Sequence, residues 1–276
     1  MKVAQAKTAH RTALCFIGAG NMAEAIARGV IAAGIYKADD MAAVDPMTER
    51  RTLFSKQLSI ACSTDAPLAA ARSDCVILAV KPQKITEALT DLKPGIHSGT
   101  LLISIVAAVS TKYIESMLPP VRVIRVMPNT PMLVRSGASG LCRGSLASAE
   151  DMARARGIFG SCGVTAEVAE NLMDAVTSLS GSGPAYVFFL AEALASAGEK
   201  MGLPKAEAEL LARQTIVGAG KMLAESADSA AELRRKVTSP GGFTEAAIHS
   251  MEANGFPALM EAALSAAEQR GRQLAR

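Results

Sequence analysis

The stretch Cys15 to Gly29 reads CFIGAGNMAEAIARG, and no other feature of the chain constrains its fold as strongly. A β-rich run leads in and a helical run leads out. Between them Gly18, Gly20 and Ala23 fall in the spacing G-x-G-x-x-A. At such positions the first Gly allows a tight turn, the second lets a pyrophosphate approach the backbone, and the small third residue keeps helix and sheet close. The pattern alone is weak, because glycine turns also occur in α/β proteins that bind nothing. Its context strengthens it. From Ala13 to about Val126, β-rich runs alternate with helical ones: ALCFI, a helix from about Asn21 to Ala33, MAAVD, a helix from about Met47 to Gln57, then DCVILAV, TLLISIV and VRVIRVM. Such alternation predicts a mostly parallel sheet with helices on both faces, an N-terminal Rossmann-type doubly wound domain.

Beyond residues 128–131 (PNTP), GASGLC and VTAEVA are candidate edge strands around a helix near Ser148 to Ser161. From about Asn171 the texture becomes helical. In AYVFFLAEALASAGEKMG and EAELLARQTIVGAGKML the apolar positions cover more than a narrow stripe, so these helices need partners on more than one side. The expected organisation is a flexible tail over 1–12, a dinucleotide-binding domain over 13–169, and an all-helical substrate-binding and dimerisation domain over 170–276.

Composition narrows the function. A net charge of +3 with no Trp argues against nucleic acid as a partner. The longest apolar runs are far below the roughly 20 residues that span a bilayer, so no membrane is expected. Three scattered His (10, 97, 249) suggest no metal site, and five Cys without C-x-x-C spacing read as reduced core residues of a cytoplasmic protein.

Five further constellations carry chemistry. Asp45 ends the second predicted strand, where a carboxylate would accept a ribose 2′-OH and repel a 2′-phosphate; Arg50 and Arg51, a turn later, would clamp that phosphate. These signals conflict, and a plain Asp45-Pro46 turn with solvated arginines explains them equally. LAVKPQ places Ala79, Val80, Lys81 and Pro82 at the carboxyl end of a strand, where ligands of open α/β sheets bind, although a strand-ending turn with an exposed Lys reads the same way. SIVAAV brings the small edge of Ile105, Val106 and Ala107 to that crevice. SGSGPAY lets Ser182 cap a helix opened by Pro184, and Glu170, Asn171 and Asp174 just upstream suggest a polar pocket. In VTSPGGFTEAA a Pro-Gly-Gly turn starts a late helix, whose free N–H groups are either capped by Ser239 or Thr244 or hold an anion.

In this order, GAGNMAEA, AVKPQ, MPNTP, SGSGPAY and VTSPGG followed by Thr244 resemble Δ1-pyrroline-5-carboxylate reductases, from Ala13 almost to the C-terminus. The resemblance implies reduction of the cyclic imine pyrroline-5-carboxylate to L-proline by NADPH, with NADH the alternative cofactor. It also implies a homodimer, with higher assemblies of dimers known in the family. Carried over by position, Gly18, Ala19, Gly20, Asn21, Met22 and Ala23 form the phosphate-binding turn, and Asp45 lies at the adenosine ribose, with Arg50 kept as a cofactor-binding candidate from its place a turn later. Ala79 through Pro82 and Ile105 through Ala107 line the path to the nicotinamide. Glu170, Ser239, Gly241, Gly242, Phe243 and Thr244 lie near the imino acid, with Thr244 the catalytic candidate that bonds the ring nitrogen. Two positions depart from the family pattern: Phe243 stands where a small residue or Thr is usual, and Ala108 where Gly is usual.

The resemblance favours the anion reading of the late turn, since the substrate carries one carboxylate. It also accounts for the lack of a catalytic His or Lys: a C=N bond is already electrophilic, and placement matters more than a strong acid. A β-hydroxyacid dehydrogenase of related architecture is the competing enzyme reading, but SGSGPAYVFFLAEA lacks the Lys such chemistry uses, and Lys221 is the nearest substitute. A non-catalytic dinucleotide-binding redox sensor is the other, and it would have no use for a second anion-binding turn.

Overall fold

The structure is a computed structural model and describes residues 12–275. The tail expected over residues 1–12 lies outside these except for Thr12, which pairs with Ser73.

The first part of the chain runs β1 (Leu14–Ile17), α1 (Asn21–Ala32), β2 (Met41–Val44), α2 (Thr48–Gln57), β3 (Ala61–Ser63), α3 (Ala66–Ala71), β4 (Cys75–Leu78), α4 (Ile85–Leu92) and β5 (Leu101–Ser104). It continues through α5 (Thr111–Met117), β6 (Arg122–Met127), β7 (Gly137–Arg143), α6 (Ala149–Gly160), β8 (Gly163–Glu167) and α7 (Met173–Val176). The strands form one sheet in the order β3-β2-β1-β4-β5-β6-β7-β8. All neighbours are parallel except β6 and β7. This is the Rossmann-type α/β sheet that the alternation predicts.

The central strands β1, β4 and β5 are fully buried and almost wholly apolar because both faces of the sheet are covered there. Successive residues alternate between two cores. Phe16, Ile77, Ile103 and Ile124 pack with Ile26 of α1, Phe54 of α2 and Phe159 of α6. Ile17, Val76, Leu78, Leu102 and Val123 pack with Leu89 of α4 and Ile114 of α5 on the other face. Short polar side chains start several helices. Asp65 accepts the Leu68 N–H at α3, Ser110 accepts the Tyr113 N–H at α5, and Ser148 with Asp151 forms a reciprocal capping box at α6.

The sheet differs from the expected one in two ways. β3 and the helix α3 after it add a further β/α unit, and β7 is flanked on both sides, so only β8 lies at that edge.

Contacts divide the chain into two units: one runs to Gly181 and takes in the chain from Glu268, and the other is Ser182–Ala267. The second unit is helical: α8 (Gly183–Lys200), α9 (Lys205–Glu225), α10 (Ala230–Lys236), α11 (Phe243–Ala253) and most of α12 (Phe256–Leu274). α8 is entered directly from a π-helical turn, Thr177–Gly181. Ser182 is therefore already helical (φ −88, ψ −18) and makes no side-chain cap, contrary to the expectation from SGSGPAY. A side chain can cap only from the extended backbone conformation that precedes a helix. This unit exposes much apolar surface, including Phe188, Phe189, Leu210 and Leu259.

Candidate active site

The turn between β1 and α1 is built by backbone contacts that only Gly permits. Gly18 has φ +98, and a Cβ there would lie 2.5 Å from the Ala79 carbonyl oxygen at the end of β4. The close approach brings Gly18 and the Ala79–Pro82 segment together. At Gly20 a Cβ would meet nothing within 4 Å, so the turn is open above it. Gly20 is also the N-cap of α1 and supplies no side chain to its first N–H groups. An open glycine followed by uncapped helix amides fits a pyrophosphate. Asn21 is exposed and Met22 partly so, while Ala19 and Ala23 are fully buried and seat the helix on the sheet.

Asp45 follows β2 and is buried. Its Oδ2 accepts the Ala19 N–H and its Oδ1 the Met47 N–H, both at 2.8 Å. Arg50 donates through Nε to the Ala19 carbonyl at 2.5 Å and pairs through Nη2 with Glu24 at 3.0 Å. Arg51 is held by the carbonyls of Asp45 and Pro46 and by Thr48 Oγ1. Both arginines thus serve the turn's own framework. Cys62 lies nearby on β3, its thiol pushed up to about 11 by burial and then by the Asp45 charge.

Ile105, Val106 and Ala107 continue β5 beyond its end, and Ile105 N–H donates to the Leu78 carbonyl at 3.1 Å. Ala108 follows in the left-handed region at φ +58, where its family resemblance places Gly. Lys81 is exposed at the start of the 3₁₀ turn Pro82–Lys84.

Glu170 lies in the polar cluster expected from Glu170, Asn171 and Asp174. A cation that sequence reasoning did not assign to it completes the cluster. Arg125 of β6, buried, donates to Glu170 Oε1 at 2.8 Å, and the same carboxylate accepts from the Thr111 N–H and hydroxyl. The available signal was a charged residue within the apolar run VRVIRVM, since a buried charge requires a partner.

In the second unit, Ser239–Gly242 turns the chain into α11. Gly241 has φ +69, and Gly242 is the N-cap, with no side-chain cap from Ser239 or Thr244. The Gly241 N–H is held instead by Glu245 Oε2 at 2.7 Å. Thr244 is exposed in the first turn of α11, and Phe243 is 99% exposed. A groove of about 540 Å³ runs beside this turn, lined by Arg234, Arg235, Thr238, Glu245, His249 and Glu252 among others.

The chain is 43% identical over 264 residues to a pyrroline-5-carboxylate reductase of Pseudomonas aeruginosa, covering 95% of this chain and 96% of that protein. The chain belongs to the pyrroline-5-carboxylate reductase family. Residues 170–274 match the family model described as pyrroline-5-carboxylate reductase dimerisation. Residues 13–108 match the model described as NADP oxidoreductase, coenzyme F420-dependent. Among solved structures, a pyrroline-5-carboxylate reductase of Coxiella burnetii matches with TM-score 0.91 and 37% identity over 96% of this chain and 99% of that one. The Plasmodium falciparum pyrroline carboxylate reductase with NADP bound matches with TM-score 0.83 and 32% identity, over 97% and 99%.

Two motifs of the reductase family meet in the first unit. Asn129 of MPNTP donates through Nδ2 to the Ser180 carbonyl of SGSGPAY's leading turn, and its Oδ1 accepts the Ala138 N–H, both at 2.9 Å. A buried amide that satisfies both sides of its fork is a spacer. Asn129 fixes β7 and the π-helical turn at one distance, so its role in this reductase is to support the fold.

Proposed function

We propose that the chain reduces the cyclic imine of 1-pyrroline-5-carboxylate to L-proline, the last step of proline biosynthesis. The observation that carries this reading is near-full-length similarity, at 43% identity, to a pyrroline-5-carboxylate reductase. The residues fit the chemistry. The turn from Gly18 to Ala23 holds the dinucleotide's pyrophosphate on uncapped amides of α1, Asp45 takes the adenosine ribose, and Ala79 through Pro82 with Ile105 through Ala107 carry the nicotinamide half. When bound, the nicotinamide dinucleotide supplies the hydride.

The chain's own residues do the rest. The imino acid carries a carboxylate, and amides of the Ser239–Thr244 turn bind it as a helix start binds an anion. The Thr244 hydroxyl bonds the ring nitrogen and, with water, passes it the proton that completes the amine. A protonated C=N carbon is electrophilic enough that no stronger acid is required. α8 carries no Lys in its opening turns, where alcohol oxidation would need a cation near the developing carbonyl.

The assembly is a homodimer, or a higher assembly of dimers. The exposed Phe188 and Phe189 of α8 and Leu210 of α9, in a segment that matches a dimerisation model, support a second copy as their cover. Five unpaired thiols support a cytoplasmic location. Among the described residues no helix is long and apolar enough to cross a membrane.

Oxidation of NADH and NADPH in the presence of pyrroline-5-carboxylate tests the reading, using the wild type, Thr244→Ala and Thr244→Ser. Loss of a positioned proton donor lowers kcat by about 10²-fold in Thr244→Ala, while Thr244→Ser retains most of it. Equal turnover in wild type and Thr244→Ala would remove Thr244 from the reaction.

A further inference from the structure

Arg125 is a buried charge with only part of its hydrogen-bonding capacity used. Its Nη1 donates to Glu170 Oε1 at 2.8 Å, whereas Nη2 lies 4.0 Å from Asp174 Oδ1 and makes no hydrogen bond to any described residue. Glu170 is the pivot of the cluster. Besides Arg125 it accepts the Thr111 N–H, at 3.2 Å on Oε1 and 3.4 Å on Oε2, and the Thr111 hydroxyl on Oε2. Cys142, opposite Arg125 in the β6–β7 register, has its thiol pushed up to about 12 by burial and then by the Glu170 charge.

Arg125 is buried while the Glu170 side chain is 32% exposed, and an ion pair with a buried member is a poor means of gaining stability, because desolvation offsets most of the attraction. What this pair holds gives it a purpose. Thr111 opens α5 directly after the loop of residues 105–110, and that loop contains Ala108 at φ +58. A residue with a Cβ in the left-handed region persists only where its surroundings over-determine the backbone. At the amino end of the loop, Ile105 is tied to the Leu78 carbonyl on β4. At the carboxyl end, the Glu170 carboxylate, itself anchored by Arg125 on β6, ties down Thr111.

We propose that Arg125 and Glu170 are positioning residues that hold the strained 105–110 loop in the form that receives the nicotinamide half of the cofactor. This rests on the dinucleotide reading of the first unit. It gives Glu170 a role through the cofactor loop in addition to its expected place near the imino acid.

The test separates the two halves of the cofactor. Affinities for ADP-ribose, which lacks the nicotinamide, and for intact NADH are measured by calorimetry on the wild type, Glu170→Gln and the charge-free pair Arg125→Met/Glu170→Met. The paired variant leaves no uncompensated buried charge, so it keeps the measurement on folded protein. Both variants are expected to bind ADP-ribose within about twofold of wild type and NADH about tenfold more weakly, the scale of one residue's left-handed penalty. In an Ala108→Gly background, where the loop no longer needs forcing, the loss shrinks. Equal weakening of ADP-ribose and NADH would overturn the proposal as general loosening of the domain. Unchanged NADH affinity with a raised KM for the imino acid would overturn it in favour of Glu170 in the substrate pocket. A wild type that binds neither ligand would bring down the dinucleotide reading, and this inference with it.

Discussion

Asp45 Oδ2 accepts the backbone N–H of Ala19 at 2.8 Å, so the end of β2 is welded to the glycine turn 26 residues earlier. The carboxylate is thereby fixed beside the glycine turn proposed to hold the pyrophosphate. The nearby Arg50 is committed to Glu24 and the Ala19 carbonyl, and Arg51 to the carbonyls of Asp45 and Pro46. On the proposed placement of Asp45 at the adenosine ribose, a fixed anion beside two committed guanidinium groups leads us to expect a preference for NADH over the 2′-phosphorylated cofactor. We expect Asp45→Ser to shift the ratio of kcat/KM values toward NADPH by about tenfold, the effect of removing one charge beside a phosphate. Glu24→Gln, which releases Arg50, shifts it in the same direction. A ratio unchanged in both variants would remove this region from cofactor selection.

Ala108 at φ +58 is a strained position that the family pattern fills with Gly. The left-handed region costs Ala about 1–2 kcal/mol, and Gly loses back about 0.4–1 kcal/mol through its freer unfolded chain. Ala108→Gly should therefore gain about 0.5 kcal/mol, raising Tm by roughly 1–2 °C, while the β-branched Ala108→Val loses stability. Calorimetric melting checks both signs. A Val variant as stable as wild type would show that the loop bears no strain there.

Glu245 reaches back to the Gly241 N–H at 2.7 Å, occupying one of the amides proposed to bind the substrate's carboxylate. A carboxylate at a helix start contributes about 0.3–1 kcal/mol, so its removal relieves a competition worth about two- to fivefold. Glu245→Ala is expected to lower KM for pyrroline-5-carboxylate by that factor, with KM for the dinucleotide unchanged and a small loss of stability. Steady-state kinetics with each ligand varied in turn decide it, and a raised KM for the imino acid would mean that Glu245 assists binding.

Burial raises the thiols of Cys15, Cys75 and Cys142 to about 12. A thiol whose folded value lies above its unfolded value of 9.0 stabilises the fold fully below that value. That stability is lost as pH rises toward the folded value. The urea midpoint should therefore hold steady up to about pH 9 and fall progressively above it. In the native state Cys62, which is only partly buried, reacts first with a thiol reagent, and its rate climbs with pH up to about 11. Rapid labelling of Cys75 in native protein at neutral pH would contradict its burial.

Much of this was legible in the residues, and each part that was not has its own physical cause. The strands around CFIGAG, DCVILAV and TLLISIV are buried on both faces, so continuous apolar runs mark them. β3 has only three residues, Ala61–Ser63, with partly exposed side chains, and so leaves no such run. The glycine turn was readable because only Gly tolerates the approach of Gly18 to Ala79. The pairing of Arg125 with Glu170 was not, because 45 residues separate them and only the folded sheet brings them together. Ser182 shows the converse failure: its local signal reads as a cap, but the π-helical turn before it leaves no extended residue from which to cap.

The most direct test of imine reduction is the stoichiometry and chirality of the product. When purified protein is given NADH or NADPH and racemic pyrroline-5-carboxylate, L-proline is expected to appear mole for mole with dinucleotide oxidised. Folded protein that binds dinucleotide yet forms no L-proline with either cofactor would contradict the account.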